Sequence, residues 1–401
     1  MRLRAPVKID DLVRNDHKLL GRSERPNDVE VVRAEGSLVH DARGRTFIDF
    51  QMGWCVGNLG WNPHAIMQAV RDFDGPSYVN PSAMYPPWVE LAGLLAELVP
   101  GRVRRSYRAT TGTEAVELAL QLAMTFTRRR KLVSIDGAYH GNSFAARSLG
   151  AGGVDNLLHG CMKLALPLDH KALDRLETLV KHRDVAAFIM EPIITNLSVV
   201  IPDLDFMREI IPLCHQYGTL VIMDEVATGF GRTGALFACE HYDLAPDFIC
   251  LAKAITSGVA PLAVTITTPD IANETEGELE FYSTFGWHPV AVEAAIATCR
   301  FWQRHHDHLI GNAMARSSEF RSRLLRMPWA VEPELRCRGL AIGIGLDDAR
   351  YVERIRQRCQ DEGLLVFAED DSLVMFPALT LDEHTAREGL DILEHCAHDI
   401  R

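Results

Sequence analysis

The chain has no closely spaced cysteine pair, no apolar run long enough to cross a bilayer, no repeating period and no basic excess. Each lack removes a class of protein. Nine cysteines, at positions 55, 161, 214, 239, 250, 299, 337, 359 and 396, are scattered and odd in number, so neither a disulfide framework nor a zinc site is expected. Reduced thiols fit a cytoplasmic location. The stretch from Met1 to Asp16 carries charges every few residues and lacks the apolar core of a signal peptide, and no membrane partner is expected. With 54 Asp plus Glu against 42 Lys plus Arg, the net charge of −12 argues against a nucleic-acid partner. The one basic run, Arg128 to Lys131, follows a helical pattern and reads as a solvated face that complements a helix dipole. The 29 Gly and 19 Pro fall in no period, which removes collagen-like arrays and solenoids. His305, His306 and His308 sit on a helical pattern and read as a solvated face, so no metal site is assigned.

The 401 residues, 47% hydrophobic and 24% charged, have the composition of a globular protein with a sizeable core. Short apolar runs at Leu132–Asp136, Ala186–Glu191, Thr219–Asp224, Phe248–Lys253 and Leu262–Thr267 read as buried parallel strands. Helical patterns at Leu173–Lys181 and Leu204–Tyr217 lie between them, so the expected fold is α/β, with a mainly parallel central sheet and helices on both faces. Ser37–His40 and Thr46–Phe50 read as two strands joined by the turn-rich DARGR. Beyond Ala291 a long helical pattern leads into an α+β region with a strand at Leu340–Leu346, a helix at Ala349–Cys359 and a last helix from Asp382. No linker separates these parts. The expected organisation is a large cofactor domain at 51–295 and a smaller domain built from segments 1–50 and 296–401.

In open α/β sheets ligands bind beyond the carboxyl ends of the strands. Asp224 ends TLVIMD, Lys253 ends FICLAK, Glu191 ends AAFIME, and Gly137 to Gly141 follow LVSID. For any one carboxylate and lysine, a structural ion pair is the plain reading. A further part is the Gly-containing turn that opens the helix in TGTEAVELALQLAMTF, where free N–H groups at Gly112 and Thr113 make an anion site. Thr111 or Thr113 could equally be an N-cap with Glu114 or Glu117 completing it. A phosphate cradle, an aromatic loop, a carboxylate and a strand-end lysine together suggest pyridoxal phosphate.

The strings DEVATGFGRTG (224–234), PDFICLAKAITSG (246–258), TGTEAVELA (111–119), DGAYHG (136–141) and STFGWHP (283–289) resemble the class III, or ω-, aminotransferases of fold type I, in order and spacing, from about residue 35 to the C-terminus. The resemblance implies pyridoxal 5′-phosphate as cofactor. It implies Lys253 as the Schiff-base lysine and proton shuttle, and Asp224 as the partner of the pyridine nitrogen. Val226 would press on one ring face and Tyr139 would stack on the other. Thr111, Gly112 and Thr113 would hold the phosphate, with Thr284 reaching it from the neighbouring subunit of a homodimer. His140 and Glu191 are implied at the cofactor; a strand-end pair that merely orients Asp224 is the competing reading.

The departures from the family pattern concern carboxylate handling. Relatives with acetylornithine or 4-aminobutyrate as substrate commonly carry Arg where this chain has Asn142, and ornithine-type members pair a gate Glu with an Arg where this chain has Asn196 and Val374. The usual grips on an amino-acid carboxylate are therefore expected to be missing, leaving Arg147 or Arg232 as replacements, although Arg232 could simply brace its loop. Trp54, beside Cys55, and Tyr85 are further candidates for the substrate pocket, where a Trp suits an apolar or ring-bearing substrate or plain core packing. The expected activity is transamination between an amine, amino acid or ω-amino compound and a keto or aldehyde acceptor, by a ping-pong route through pyridoxamine phosphate. Racemase, aminomutase or decarboxylase chemistry, and a silent cofactor-binding protein, are the alternatives.

Overall fold

The computed structural model describes residues 9–21, 28–150 and 158–399. Its centre is a seven-stranded sheet: β1 (Arg105–Ala109), β2 (Lys131–Ile135), β3 (Cys161–Leu164), β4 (Val185–Met190), β5 (Leu220–Asp224), β6 (Phe248–Leu251) and β7 (Ala263–Thr267), in the order β1-β7-β6-β5-β4-β2-β3. Every residue of β4, β5, β6 and β7 is buried, as unbroken apolar runs require when helices cover both faces. Strands β3, β2, β4, β5 and β6 run parallel.

The last run, expected to be parallel, is not: β7 pairs antiparallel with both β6 and β1. Its run is too short and uniform for pattern to reveal direction. Strands β1 and β3 escaped the sequence reading because they are edge strands with exposed or half-buried polar residues, RSYRA and CMKL. Three of the strand runs end earlier than expected, so Asp136 lies one residue past β2, Glu191 one residue past β4, and Lys253 opens a short 3₁₀ turn two residues past β6.

The helix Gly112–Thr127 buries Ala115, Val116, Leu118, Ala119, Leu120, Leu122 and Ala123. Thr265 Oγ1 on β7 donates to the Ala115 carbonyl at 2.5 Å, fixing the first turn of this helix to the sheet. In the basic run after it Arg128, Arg130 and Lys131 are exposed, as a solvated face requires, and Arg129 departs from that reading. Arg129 Nη1 donates to the carbonyls of Val185, Tyr217 and Gly218 at 3.0, 2.9 and 2.6 Å, tying the edges of two βα units together. Arg128 and Lys131 pair with Glu278 and Asp184.

Two four-stranded sheets flank this centre. In one, the meander Val31–Glu35, Leu38–Asp41 and Thr46–Asp49 is extended by Leu364–Leu365, so N- and C-terminal segments share a sheet. In the other, Glu334–Arg338, Ala341–Gly345, Ser372–Met375 and Phe367–Glu369 are neighbours in that order. The helix Pro289–Leu324 runs unbroken for 36 residues through position 295 and joins the central sheet's surroundings to the C-terminal elements.

Arg232 braces these parts. It is fully buried, and its Nη1 donates to the carbonyls of Leu340 and Pro377 at 3.0 and 2.6 Å, while Nη2 donates to Asn58 Oδ1 at 2.6 Å. Asn58 in turn donates to the carbonyls of Gly229 and Phe230. Of the two readings of Arg232, the structural one matches this geometry.

Candidate active site

The carboxyl ends of β2, β4, β5 and β6 open into a cavity of about 970 Å³. Thr110, Thr111, Gly112, Thr113, Tyr139, His140, Glu191, Asn196, Asp224, Val226, Lys253 and Trp54 all line it. Residues up to 200 positions apart in sequence therefore meet because parallel strands end on one side.

Asp224 is buried at the last position of β5, and both its oxygens are engaged. His140 Nδ1 donates to Oδ2 at 2.8 Å and the Val226 N–H donates to Oδ1 at 3.1 Å. This geometry orients the carboxylate in the way the plain reading of His140 anticipated. His140 Nε2 is itself buried without a partner. Val226 lies in a turn rather than on an extended continuation of β5, yet its side chain still faces the cavity.

Glu191 takes a separate role. Its Oε2 accepts from the N–H and hydroxyl of Thr195, at 3.3 and 2.6 Å, while the buried Oε1 has no partner. Burial first, then the charge of Asp224, pushes its carboxyl up to about 7, against the pull of Thr195, His140 and Lys253.

Lys253 sits at φ 47°, in the left-handed region, so the backbone turns sharply where β6 ends. Opposite it, Thr111 caps the helix Gly112–Thr127 by accepting from the Glu114 N–H at 3.2 Å. Glu114 reaches back to the Thr110 N–H at 2.6 Å, one residue earlier than a usual capping box. The N–H groups of Gly112 and Thr113 have no partner within the helix and face an anion site. Close approach explains both nearby glycines: a Cβ on Gly112 would lie 3.0 Å from Val226 Cγ1, and one on Gly141, at φ 129°, would lie 2.4 Å from Thr113 Oγ1.

Trp54 arrives on an unusual backbone. Met52, Gly53, Trp54 and Cys55 have φ of 43°, 58°, 57° and 67°, a single turn of left-handed helix. Three of the four carry side chains, at about 1–2 kcal/mol each. Asp49 holds the turn: its Oδ1 accepts from the N–H groups of Gln51 and Met52 at 2.7 and 2.9 Å, and its Oδ2 from Trp61 Nε1 at 2.8 Å. The Trp54 ring packs on Phe367 and Phe376, with centroids 4.7 and 5.2 Å away. Both readings of Trp54 are thus present in one side chain, since it lines the cavity and packs on the core.

Of the other expected substrate residues, Asn196 alone is brought to the cavity of its own chain. Val374 is buried with Cys55, Ile193 and Phe376 behind Trp54. Arg147 donates to Asn142 Oδ1 at 3.2 Å, and neither lines the cavity. Asn196 lines it but is spent on the loop at Gly137–Tyr139, accepting from the Tyr139 N–H at 3.1 Å and donating to the Gly137 carbonyl at 2.8 Å. Tyr85 precedes the helix Pro86–Leu98 without capping it through its side chain, and meets Trp88 edge to face. Thr284 is exposed in a turn and does not line the cavity of its own chain. Conversely, Thr195, Ala227, Glu369 and Asp370 line it without having been singled out. Thr195 was legible, four residues beyond Glu191; Glu369 and Asp370 lie on a hairpin that sequence does not place.

A mainly parallel sheet with an aspartate, a lysine and a helix N-terminus at its carboxyl edge defines the α/β architecture of fold type I pyridoxal-phosphate enzymes. The site fits that cofactor on its own terms: buried unpaired atoms on His140 and Glu191 face a cavity whose glycine-lined end has free N–H groups. Comparison with known proteins is specific. The family described as Aminotransferase class-III matches residues 20–397. The acetylornithine aminotransferase of Methanopyrus kandleri is 32% identical over 367 residues, covering 90% of this chain and 92% of that protein. The 4-aminobutyrate aminotransferase of Mycobacterium leprae is 30% identical, covering 93% and 91%. An amine transaminase from an uncultivated Pseudomonas species, solved in its PLP-bound form, superposes with a TM-score of 0.85 at 26% identity, covering 96% of this chain and 98% of that one. The chain belongs to the class III aminotransferase family.

Among the described residues no helix is long and apolar enough to cross a membrane, and no group of His, Cys, Asp and Glu is arranged to hold a metal.

Proposed function

We propose that the protein is a pyridoxal-phosphate-dependent transaminase whose amino donor is an amine or ω-amino compound, with Lys253 and Asp224 as its chemical centre. The observation that carries this is the meeting of Asp224, Lys253, Val226, Tyr139 and the Gly112–Thr113 turn in one cavity. The bound cofactor supplies an aldehyde and an electron-accepting ring. Asp224, fixed by His140 and the Val226 N–H, holds the ring nitrogen's proton. The N–H groups of Gly112 and Thr113, with the hydroxyls of Thr111 and Thr113, bind the phosphate. Val226 and Tyr139, both on the cavity wall, would hold the ring. Lys253 would hold the cofactor through its Nζ and, once displaced by the substrate amine, the same Nζ would move a proton between the substrate carbon and the cofactor. Glu191, whose buried Oε1 has no partner, would accept a hydrogen bond from the cofactor.

The donor reading rests on the cavity wall, in which Lys253 is the sole Lys or Arg among the described residues. Neither Asn142, Asn196 nor Val374 offers a cation to a carboxylate, and Arg147 and Arg232 are engaged elsewhere.

The working unit is proposed to be a cytoplasmic homodimer in which Thr284 completes the neighbour's phosphate site. Supporting this, Thr284 is exposed and flanked by Tyr282 and Phe285, themselves 65% and 60% exposed. The nine cysteines form no disulfide, which suits a reducing compartment.

Purified holoenzyme mixed with single amines is expected to lose its cofactor absorbance and yield pyridoxamine phosphate, which a keto acid then restores. Borohydride reduction is expected to leave the label on Lys253. Failure of every amine and amino acid to convert the cofactor would sink the proposal, and solvent exchange of the α-hydrogen without nitrogen transfer would replace it by racemisation.

A further inference from the structure

The loops that follow the neighbouring strands β2 and β4 meet at the cavity, and a single side-chain amide joins them. Asn196 Nδ2 donates to the Gly137 carbonyl at 2.8 Å, while its Oδ1 accepts from the Tyr139 N–H at 3.1 Å. The amide offers the two groups that flank Ala138 what one residue of an adjacent parallel strand would offer, a donor and an acceptor side by side. A carboxylate of the same shape has no donor and cannot make this clamp. Tyr139 stands where such a hold matters: it is 48% exposed, and Gly137 and Gly141, two residues to either side, sit at φ 81° and 129°. Glycines in that region leave the backbone free to take other shapes. His140 anchors the loop on Asp224, and Asn196 anchors it at Gly137 and Tyr139.

The loop that carries Asn196 is itself held in a costly shape. Ile194 and Val200 exchange both backbone hydrogen bonds at 3.0 Å, and between them Ser198 and Val199 sit at φ 54° and 65°. A branched valine rarely adopts that region, and strain of this kind collects where a structure has something to place. This loop places Thr195 on Glu191 and Asn196 on the Tyr139 loop. We propose that Asn196 is a positioning residue for the cofactor ring, acting through Tyr139 by fixing the backbone from which that side chain reaches the cavity. The inference rests on the reading that Tyr139 holds the ring, and it names the residue that fixes Tyr139. Asn196→Asp keeps size and acceptor, strips the Gly137 carbonyl of its donor and sets a negative charge against it.

The test is a double-mutant cycle on cofactor affinity, read by fluorescence titration of the cofactor-free protein with pyridoxal 5′-phosphate. Asn196→Asp is expected to weaken binding roughly 10-fold in the parent and less than about 2-fold when Tyr139 is already alanine. Independent, additive losses would mean that Asn196 acts by another route and would overturn the inference, as would a loss in Asn196→Asp with none in Tyr139→Ala. Amide exchange supplies a reading that needs no cofactor: in the unmodified chain the Tyr139 N–H should be protected roughly 10-fold or more, and Asn196→Asp should remove that protection. An unprotected Tyr139 N–H in the unmodified chain would overturn the proposal even if neither variant folded. Failure of every amine to convert the holoenzyme, with the coupling between positions 139 and 196 intact, would count against transamination and leave the positioning role standing.

Discussion

Replacing Glu191 by glutamine tests the electrostatics of the cavity in a way that separates charge from shape. Glutamine keeps an oxygen for the N–H and hydroxyl of Thr195 and places a neutral group where the unpaired Oε1 stands. The glutamate carboxyl, ordinarily near 4.5, is pushed up to about 7 by burial and by Asp224. The folded chain therefore holds this proton more tightly than the unfolded chain does. Its stabilising contribution is complete below pH 4.5 and is lost as pH rises through about 7, where the charge must be carried in a dry site. At about 1.4 kcal/mol per tenfold change in proton affinity, the loss across that window is about 3 kcal/mol. Glutamine does not titrate, so the stability of Glu191→Gln relative to the parent should climb by about 3 kcal/mol from pH 4.5 to 7 and level off above. Urea unfolding of the cofactor-free protein at half-unit pH steps measures this directly. A difference that stays constant with pH, or declines as pH rises, would refute the reasoning.

Removing the acceptor under the left-handed turn, by Asp49→Ala, strands three donors, and should cost about 3 kcal/mol or more in urea unfolding while reducing the apparent affinity for amines because Trp54 is no longer held. His140→Leu leaves Asp224 with one fewer charge-assisted partner, and fluorescence titration of the cofactor-free protein should show roughly 10- to 100-fold weaker cofactor binding with little change in urea midpoint. Gly141→Ala forces a Cβ to within 2.4 Å of Thr113 Oγ1 and should weaken cofactor binding by roughly 10-fold in the same titration.

The cofactor side of the site was legible in the sequence, and most of the substrate side was not. Asp224, Lys253 and Glu191 follow from where strands end, which apolar runs reveal without tertiary information, and the Gly112 turn follows from where an amphipathic helix begins. Their convergence is a property of parallel topology, so three misjudged carboxyl ends and the antiparallel β7 did not disturb it. Substrate-side residues depend on loops. Asn142, Asn196 and Arg147 look like ligand residues in a string but are consumed by one another and by the Gly137–Tyr139 loop. Val374 lies one layer behind the wall, and Glu369 and Asp370 reach it on a hairpin whose placement depends on Trp54 packing across to Phe367. The left-handed turn carries only one glycine, Gly53, so composition does not announce it.

Arg232 has a consequence for motion. One guanidinium ties residue 58, residue 340 and residue 377 to the turn that follows Asp224. That turn cannot open by itself, because releasing it leaves a buried charge without acceptors and frees three distant stretches at once. Amides of residues 226–232 should exchange with solvent only through events near global unfolding, while the hairpin at 369–371 exchanges by local opening. Sequence drift in such a molecule is channelled: the hairpin can be rewritten to accept new amines, and the knot beneath the cofactor pocket cannot be changed one residue at a time.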